Sequence, residues 1–186
     1  MAGEAHLPPR VGPRPRASTE FPHCQLDQQP GDGRYVDTIL AEALTWPCVL
    51  GGPSAISVEG ARALILGAGT AGGPPEAFMA GREFCHVHAQ GDYSLHAALP
   101  VPLARAAEGA GWAEPHFLVQ TGQAPATVVM VYAPRDEAER DVVLGLVRAS
   151  YEFALGPGHQ ATAGTDKAQP ARTPIRGKEQ SCPSLS

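Results

Sequence analysis

The stretch EFCHVHAQGDYSLHAALP, Glu83 to Pro100, decides how this 186-residue chain is read. Strand side chains alternate between two faces, and two alternating runs, Glu83 to His88 and Tyr93 to Leu99, flank a turn at Ala89-Gln90-Gly91-Asp92. Even positions carry Phe84, His86 and His88 on the first run and Ser94, His96 and Ala98 on the second. Odd positions carry Cys85 and Val87, then Tyr93, Leu95, Ala97 and Leu99. Matching the apolar faces pairs even with even, which predicts His86 opposite His96 and His88 opposite Ser94. Directly opposed Cβ atoms lie about 4.5–5.5 Å apart, so three imidazoles and a hydroxyl are expected to share one surface.

The flanking sequence supplies the rest of a sheet and its helices. Val36, Ile39, Leu40, Ala43 and Leu44 fall on one helical face before Trp46-Pro47 ends the run. Ile56 to Glu59 and Ala61 to Leu66 read as strands around Gly60. Pro102 opens a helix that Gly111 stops, and Trp112 to Val119 and Thr127 to Tyr132 are two further strands. D-x-x-E from Asp136 to Glu139 resembles a capping box and starts a last helix with Val143, Leu146, Val147, Ser150, Tyr151 and Ala154 as its buried stripe. The expected fold is α+β, a mostly antiparallel sheet of about six short strands packed with three helices.

Residues 1–34 and 157–186 are rich in Pro, Arg, Gln and Gly and lack apolar periodicity, so both read as disordered tails around a domain at 35–156. That central segment holds six basic and thirteen acidic residues and no lysine, the wrong sign for a nucleic-acid partner. No apolar run reaches the roughly 20 residues needed to span a bilayer, and the N-terminus lacks a signal-peptide apolar region. A soluble cytoplasmic protein without membrane contact is expected. Its four cysteines are widely spaced and suggest neither a zinc ribbon nor a disulfide framework.

A second motif, ALILGAGTAGG at Ala63 to Gly73, imitates a dinucleotide fingerprint. The fingerprint requires a long helix after its third glycine, whereas Gly72 is followed by Gly73-Pro74-Pro75 and room for less than two helical turns before Gly81. The run therefore reads as a loop, and no dinucleotide or other organic cofactor is expected.

The histidine face admits three readings. His86, His88 and His96 have the donor chemistry for a single metal ion such as Zn or Fe. A metal-free small-molecule pocket could instead use one imidazole as general base and others as hydrogen-bond donors. A polar face without chemistry is the third. Ser94 lies on the same face, Glu114 and His116 share a face of their own strand and could approach it, and Arg135 could meet an anionic ligand or simply pair beside the helix start.

Three segments together, PPEAFMAGREFCHVHAQGDYSLHAALP from Pro74, GWAEPHF from Gly111 and TVVMVYAPRDEAERDVVLGLVRASYEFA from Thr127, resemble the luciferase-domain family. These are small proteins common in high-GC bacteria that share a domain with fungal luciferase, and the resemblance covers roughly residues 53–155. The fungal enzyme oxygenates a hydroxylated α-pyrone with molecular oxygen, without flavin. The resemblance implies an oxygenase, an oxidoreductase activity without cofactor, with His86, His88, Ser94 and His96 as motif positions; the mechanism expected of them is that His86 or His96, with His88 beside them, deprotonates an acidic enol and oxygen attacks the resulting carbanion. Ser94, Glu114, His116 and Arg135 are the expected substrate-binding residues. A non-catalytic module that binds a ligand or a partner stays open beside it, as do the substrate and the oligomeric state.

Overall fold

A computed structural model describes residues 7–89 and 91–157. The order is α1 (Arg34–Ala43), β1 (Val49–Pro53), β2 (Arg62–Leu66), a 3-10 turn (Pro75–Ala77), β3 (Glu83–Val87), β4 (Leu95–Ala98), α2 (Val101–Gly109), β5 (Ala113–Pro115), α3 (Phe117–Gln120), β6 (Val128–Val131) and α4 (Glu137–Leu155). Six strands form one sheet in the order β1-β2-β3-β4-β6-β5, with every neighbouring pair antiparallel. The α+β expectation holds, with a fourth helix in the single turn of α3.

The central hairpin has the register its alternation requires. His86 pairs with His96, Cys85 with Ala97 and Val87 with Leu95, and the His88 N–H donates to the Ser94 carbonyl at 2.9 Å. The odd face, Cys85, Val87, Leu95 and Ala97, enters the hydrophobic core with Val143, Leu146, Val147 and Tyr151 of α4, and α1 packs on α4 from outside through Val36, Ile39 and Leu40. The Ser150 hydroxyl donates to the Phe84 carbonyl at 2.9 Å, fixing α4 to β3. Asp136 caps α4 by accepting from the Glu139 N–H at 2.8 Å.

Two strand expectations are corrected. Ile56 to Glu59 is irregular, and the strand lies earlier at Val49–Pro53. As an edge strand it tolerates Gly51, Gly52 and Pro53, because the missing Pro donor faces away from the ladder. The run from Trp112 ends as a strand at Pro115; His116 then caps α3, its Nδ1 accepting from the Leu118 N–H at 3.2 Å.

The expected N-terminal disorder is corrected for residues 7–33, which form a strap across the sheet. Ala17 bridges to Gln25, and Arg16 pairs with Asp27 at 2.9 Å. Buried Gln25 accepts from the Ala133 N–H at 2.8 Å and donates its own N–H to Asp92 at 3.0 Å. The Trp112 indole donates to the Pro8 carbonyl, and the Arg10 N–H to the Ala110 carbonyl. These side-chain and backbone bonds anchor a segment without apolar periodicity. Residues 1–6 and 158–186, nearly all of the expected C-terminal tail, lie outside the described residues.

The glycine run serves packing. No helix follows Gly72; only the 3-10 turn at Pro75–Ala77 does. The Gly73 N–H donates to the Ala154 carbonyl at 2.7 Å, and a Cβ on Gly73 would stand 2.1 Å from the Phe153 carbonyl oxygen. Glycine is present because the loop backbone touches the C-terminus of α4.

Candidate functional site

The even face of the hairpin is buried, not solvated. His86, His88 and His96 are 2–4% exposed, because the strap lays Phe21, Pro22 and His23 over one side and the loop Ile56-Ser57-Val58 closes the other. The imidazoles line a cavity of about 680 Å³ whose remaining walls are largely apolar, including Met79, Leu118, Pro125 and Val128. His116 reaches the cavity from the cap of α3, and His23 from the strap. Five imidazoles thus line one largely apolar chamber, a composition suited to an organic ligand with a polar edge.

Three of them form a continuous chain between two carboxylates. The Glu83 carboxylate meets His86 Nδ1 at 2.6 Å, His86 Nε2 meets His96 Nδ1 at 3.0 Å, His96 Nε2 meets His23 Nδ1 at 3.2 Å, and His23 Nε2 meets Glu114 at 3.0 Å. Glu83 also accepts from the Ser54 hydroxyl at 2.8 Å and the Ala55 N–H at 3.0 Å. Glu114 accepts from the Tyr132 hydroxyl at 2.7 Å. Burial pushes both carboxyls up, but these donors outweigh it and hold Glu83 and Glu114 below the usual carboxylate range.

Proton bookkeeping follows from this geometry. The chain contains four hydrogen bonds, and three neutral imidazoles bring one N–H each. With both carboxylates ionised, one contact must lack a proton unless the chain carries one more. With neutral rings the chain is one proton short of four complete hydrogen bonds. Burial, opposed by Glu83, lowers His86 below the usual imidazole value. Burial, and then the surrounding rings, hold His96 well below it.

The other two imidazoles stand beside the chain. His88 Nδ1 is bonded to Asp92, which also accepts from the Ser94 hydroxyl at 3.0 Å. Burial pushes the Asp92 carboxyl up, but the bonds from His88, Ser94 and the Gln25 N–H bring it below the usual range. His116 is lowered to about 4, first by burial and then by the neighbouring rings. His88 and His116 both stand edge-on to His96, each with ring centroids 4.8 Å from it.

The structure brings His86, His88, His96 and His116 together on the cavity, with Ser94 behind His88 and Glu114 behind His23. It does not bring Arg135 there. That guanidinium is held by Glu139, Gln28 and the Val11 carbonyl at the start of α4, so the expectation of an anion-binding role is corrected. Sequence reasoning missed His23, Glu83, Asp92 and Tyr132 as members of the site. Asp92 was within reach of it, four residues from His88, whereas strict alternation puts Glu83 on the other face from His86 and a register shift between Leu64 and Ile65 marks the irregularity there. His23 carried no signal, because its contacts span 73 and 91 residues.

Two histidine trios, His86-His88-His96 and His23-His96-His116, each offer three ring nitrogens within 4.8 Å of one another, close enough to converge on one metal ion after modest rotation. Among the described residues no helix is long and apolar enough to cross a membrane.

Comparison with known proteins falls on this same region. The luciferase domain family matches residues 81–150, which include β3, β4, His116 and most of α4. The chain is 35% identical over 74 residues to the luciferase of Armillaria mellea, a stretch covering 39% of this chain and 28% of the fungal protein. No solved structure matches. The family match spans four of the five clustered histidines, so residues 81–150 are similar to a luciferase domain.

Proposed function

We propose that this protein binds an apolar organic molecule with an acidic enol edge and oxygenates it without an organic cofactor. A clustered imidazole takes the enol proton, and the enolate's electron-rich carbon reacts with oxygen. Carbon is oxidised and dioxygen reduced to the peroxide level. A C–O bond forms, and the removed proton returns to the distal oxygen, so substrate and oxygen sum to a hydroperoxide. The reading rests on one observation, five buried imidazoles opening on an apolar cavity of about 680 Å³. Among the described residues no lysine or arginine lines that cavity, which disfavours phosphorylated or nucleic-acid ligands. Oxygen consumption with hydroxylated α-pyrones and related enols tests it. Turnover by the wild type that disappears when the clustered imidazoles are removed singly, in His86→Ala, His88→Ala and His96→Ala, supports the reading, and full activity in all three variants would overturn it.

A second reading is favoured by the convergence of ring nitrogens in the two trios. There a single Zn or Fe ion sits among the histidines, and near-stoichiometric metal in protein purified without a histidine tag, lost in His96→Ala, would establish it. Saturable enol binding without oxygen uptake would instead assign a non-catalytic binding module.

A further inference from the structure

Which imidazole can touch a ligand is decided by which ring nitrogens are already committed. His86, His96 and His23 each spend both nitrogens on the chain from Glu83 to Glu114. His88 and His116 spend only Nδ1 and keep Nε2 outside that chain. The two are held in opposite tautomers. His116 Nδ1 accepts a backbone N–H from Leu118, so its proton sits on Nε2 and is offered as a donor. His88 Nδ1 faces the Asp92 carboxylate, which can only accept, so the proton sits on Nδ1 and Nε2 carries the lone pair.

We infer that His88 is the general base, that Asp92 is the positioning residue fixing its tautomer, and that His116 is the opposing donor. The cavity then presents one acceptor and one donor, both beside the His96 ring. That pattern complements a β-hydroxy-enone or hydroxylated lactone. The enol O–H gives its proton to His88 Nε2, and the conjugated carbonyl, on which enolate charge gathers, accepts from His116 Nε2–H. This assignment rests on the enol reading above and moves the base from His86 or His96 to His88.

Asp92 offers a discriminating substitution. One carboxylate oxygen accepts the Gln25 and Ser94 N–H groups, and the other faces His88 Nδ1 and the Ser94 hydroxyl. In Asp92→Asn the amide oxygen can keep the first pair while the NH2 donates to the second. His88 Nδ1 then becomes an acceptor, its proton moves to Nε2, and the base disappears with the ring still in place.

The test uses full-length protein and an aryl-substituted hydroxy-α-pyrone as probe. Long-range ¹⁵N–¹H spectra of the wild type should show His88 protonated at Nδ1 and His116 at Nε2, and His88 should switch to Nε2 in Asp92→Asn. The bound probe should absorb as its enolate in the wild type and as the enol in Asp92→Asn and His88→Gln, with turnover falling about 10²-fold or more. An enolate spectrum that persists in both variants but vanishes in His96→Gln would overturn the assignment and leave the enol reading standing. Absence of an enolate in the wild type would reject the enol reading, and this assignment with it. A wild-type His88 protonated at Nε2 overturns the assignment without any ligand.

Discussion

Replacing Glu83 by glutamine should do something that replacing it by alanine cannot. Glu83 is 2% exposed and accepts from Ser54, Ala55 and His86. In Glu83→Gln the amide oxygen can keep the Ala55 N–H while the NH2 donates to His86 Nδ1 and the Ser54 hydroxyl oxygen. His86 must then carry its proton on Nε2 and donate to His96; His96 donates to His23, and His23 to Glu114. The amide and three neutral rings now supply all four protons, so the contact left short in the wild-type chain is filled and His86 reverses its tautomer while His23 keeps its Nε2 proton on Glu114. Stability should stay within about 1 kcal/mol of wild type, since only the half-buried Ser54 hydroxyl loses its acceptor. Glu83→Ala removes the acceptor from a buried ionic network, a change that costs about 3–5 kcal/mol. At about 2–4 °C per kcal/mol for a chain of this length, its thermal midpoint should fall by roughly 6–20 °C. Calorimetry and histidine ¹⁵N spectra check both halves. Equal midpoints for the two variants, or a wild-type His86 already protonated on Nε2, would refute the chain.

Other consequences follow from the same packing. Gly73→Ala should cost roughly 1–3 kcal/mol from steric overlap with the Phe153 carbonyl, whereas Gly145→Ala, exposed in α4 with open space at its Cβ, should stabilise by up to about 1 kcal/mol; chemical denaturation of both measures the contrast. Gln25→Ala leaves the buried Ala133 N–H without its acceptor and should cost about 1–3 kcal/mol, with slower proteolysis than wild type counting against the anchored strap. His86, His96 and His116 have native values lowered from their unfolded ones, so the unfolded state binds more protons below about pH 6.5. Their contribution is complete above that pH and is lost as pH falls toward the native value of about 4 at His116, so thermal midpoints should drop between pH 7 and 4, less steeply in His116→Asn. A flat profile would contradict the burial of the rings.

What could be read from the sequence was what the two-residue period controls. Cys85, Val87, Leu95 and Ala97 had to share the core face, and that alone forced His86 opposite His96. The helix of α4 was legible because its stripe and its Asp136 cap agree. The strand at Val49–Pro53 was hidden by two glycines and a proline that resemble a turn, a composition an edge position allows. The strap was hidden for a different reason. Its order comes from individual long-range bonds, such as Gln25 to Ala133 and Trp112 to Pro8, and composition registers no partner at such separations. The histidine face therefore looked open until the segment that covers it was placed.

That covering changes how the site is partitioned along the chain. The segment matching the luciferase domain family holds His86, His88, His96 and His116 with Glu83, Asp92 and Glu114, the groups that move or hold protons. Phe21, Pro22 and the fifth imidazole, His23, arrive from outside it and form one wall of the cavity. His23 also joins the chain to Glu114, so the strap closes the cavity and completes the proton inventory with one residue. A change at Phe21 or Pro22 alters the shape of the chamber without touching a proton-carrying bond, whereas a change at His23 severs Glu114 from the other rings. On the enol reading, ligand selectivity and proton handling are separable at adjacent positions of the strap, and variants at Phe21 should shift which enols bind while leaving the histidine ¹⁵N spectrum of the unliganded protein unchanged.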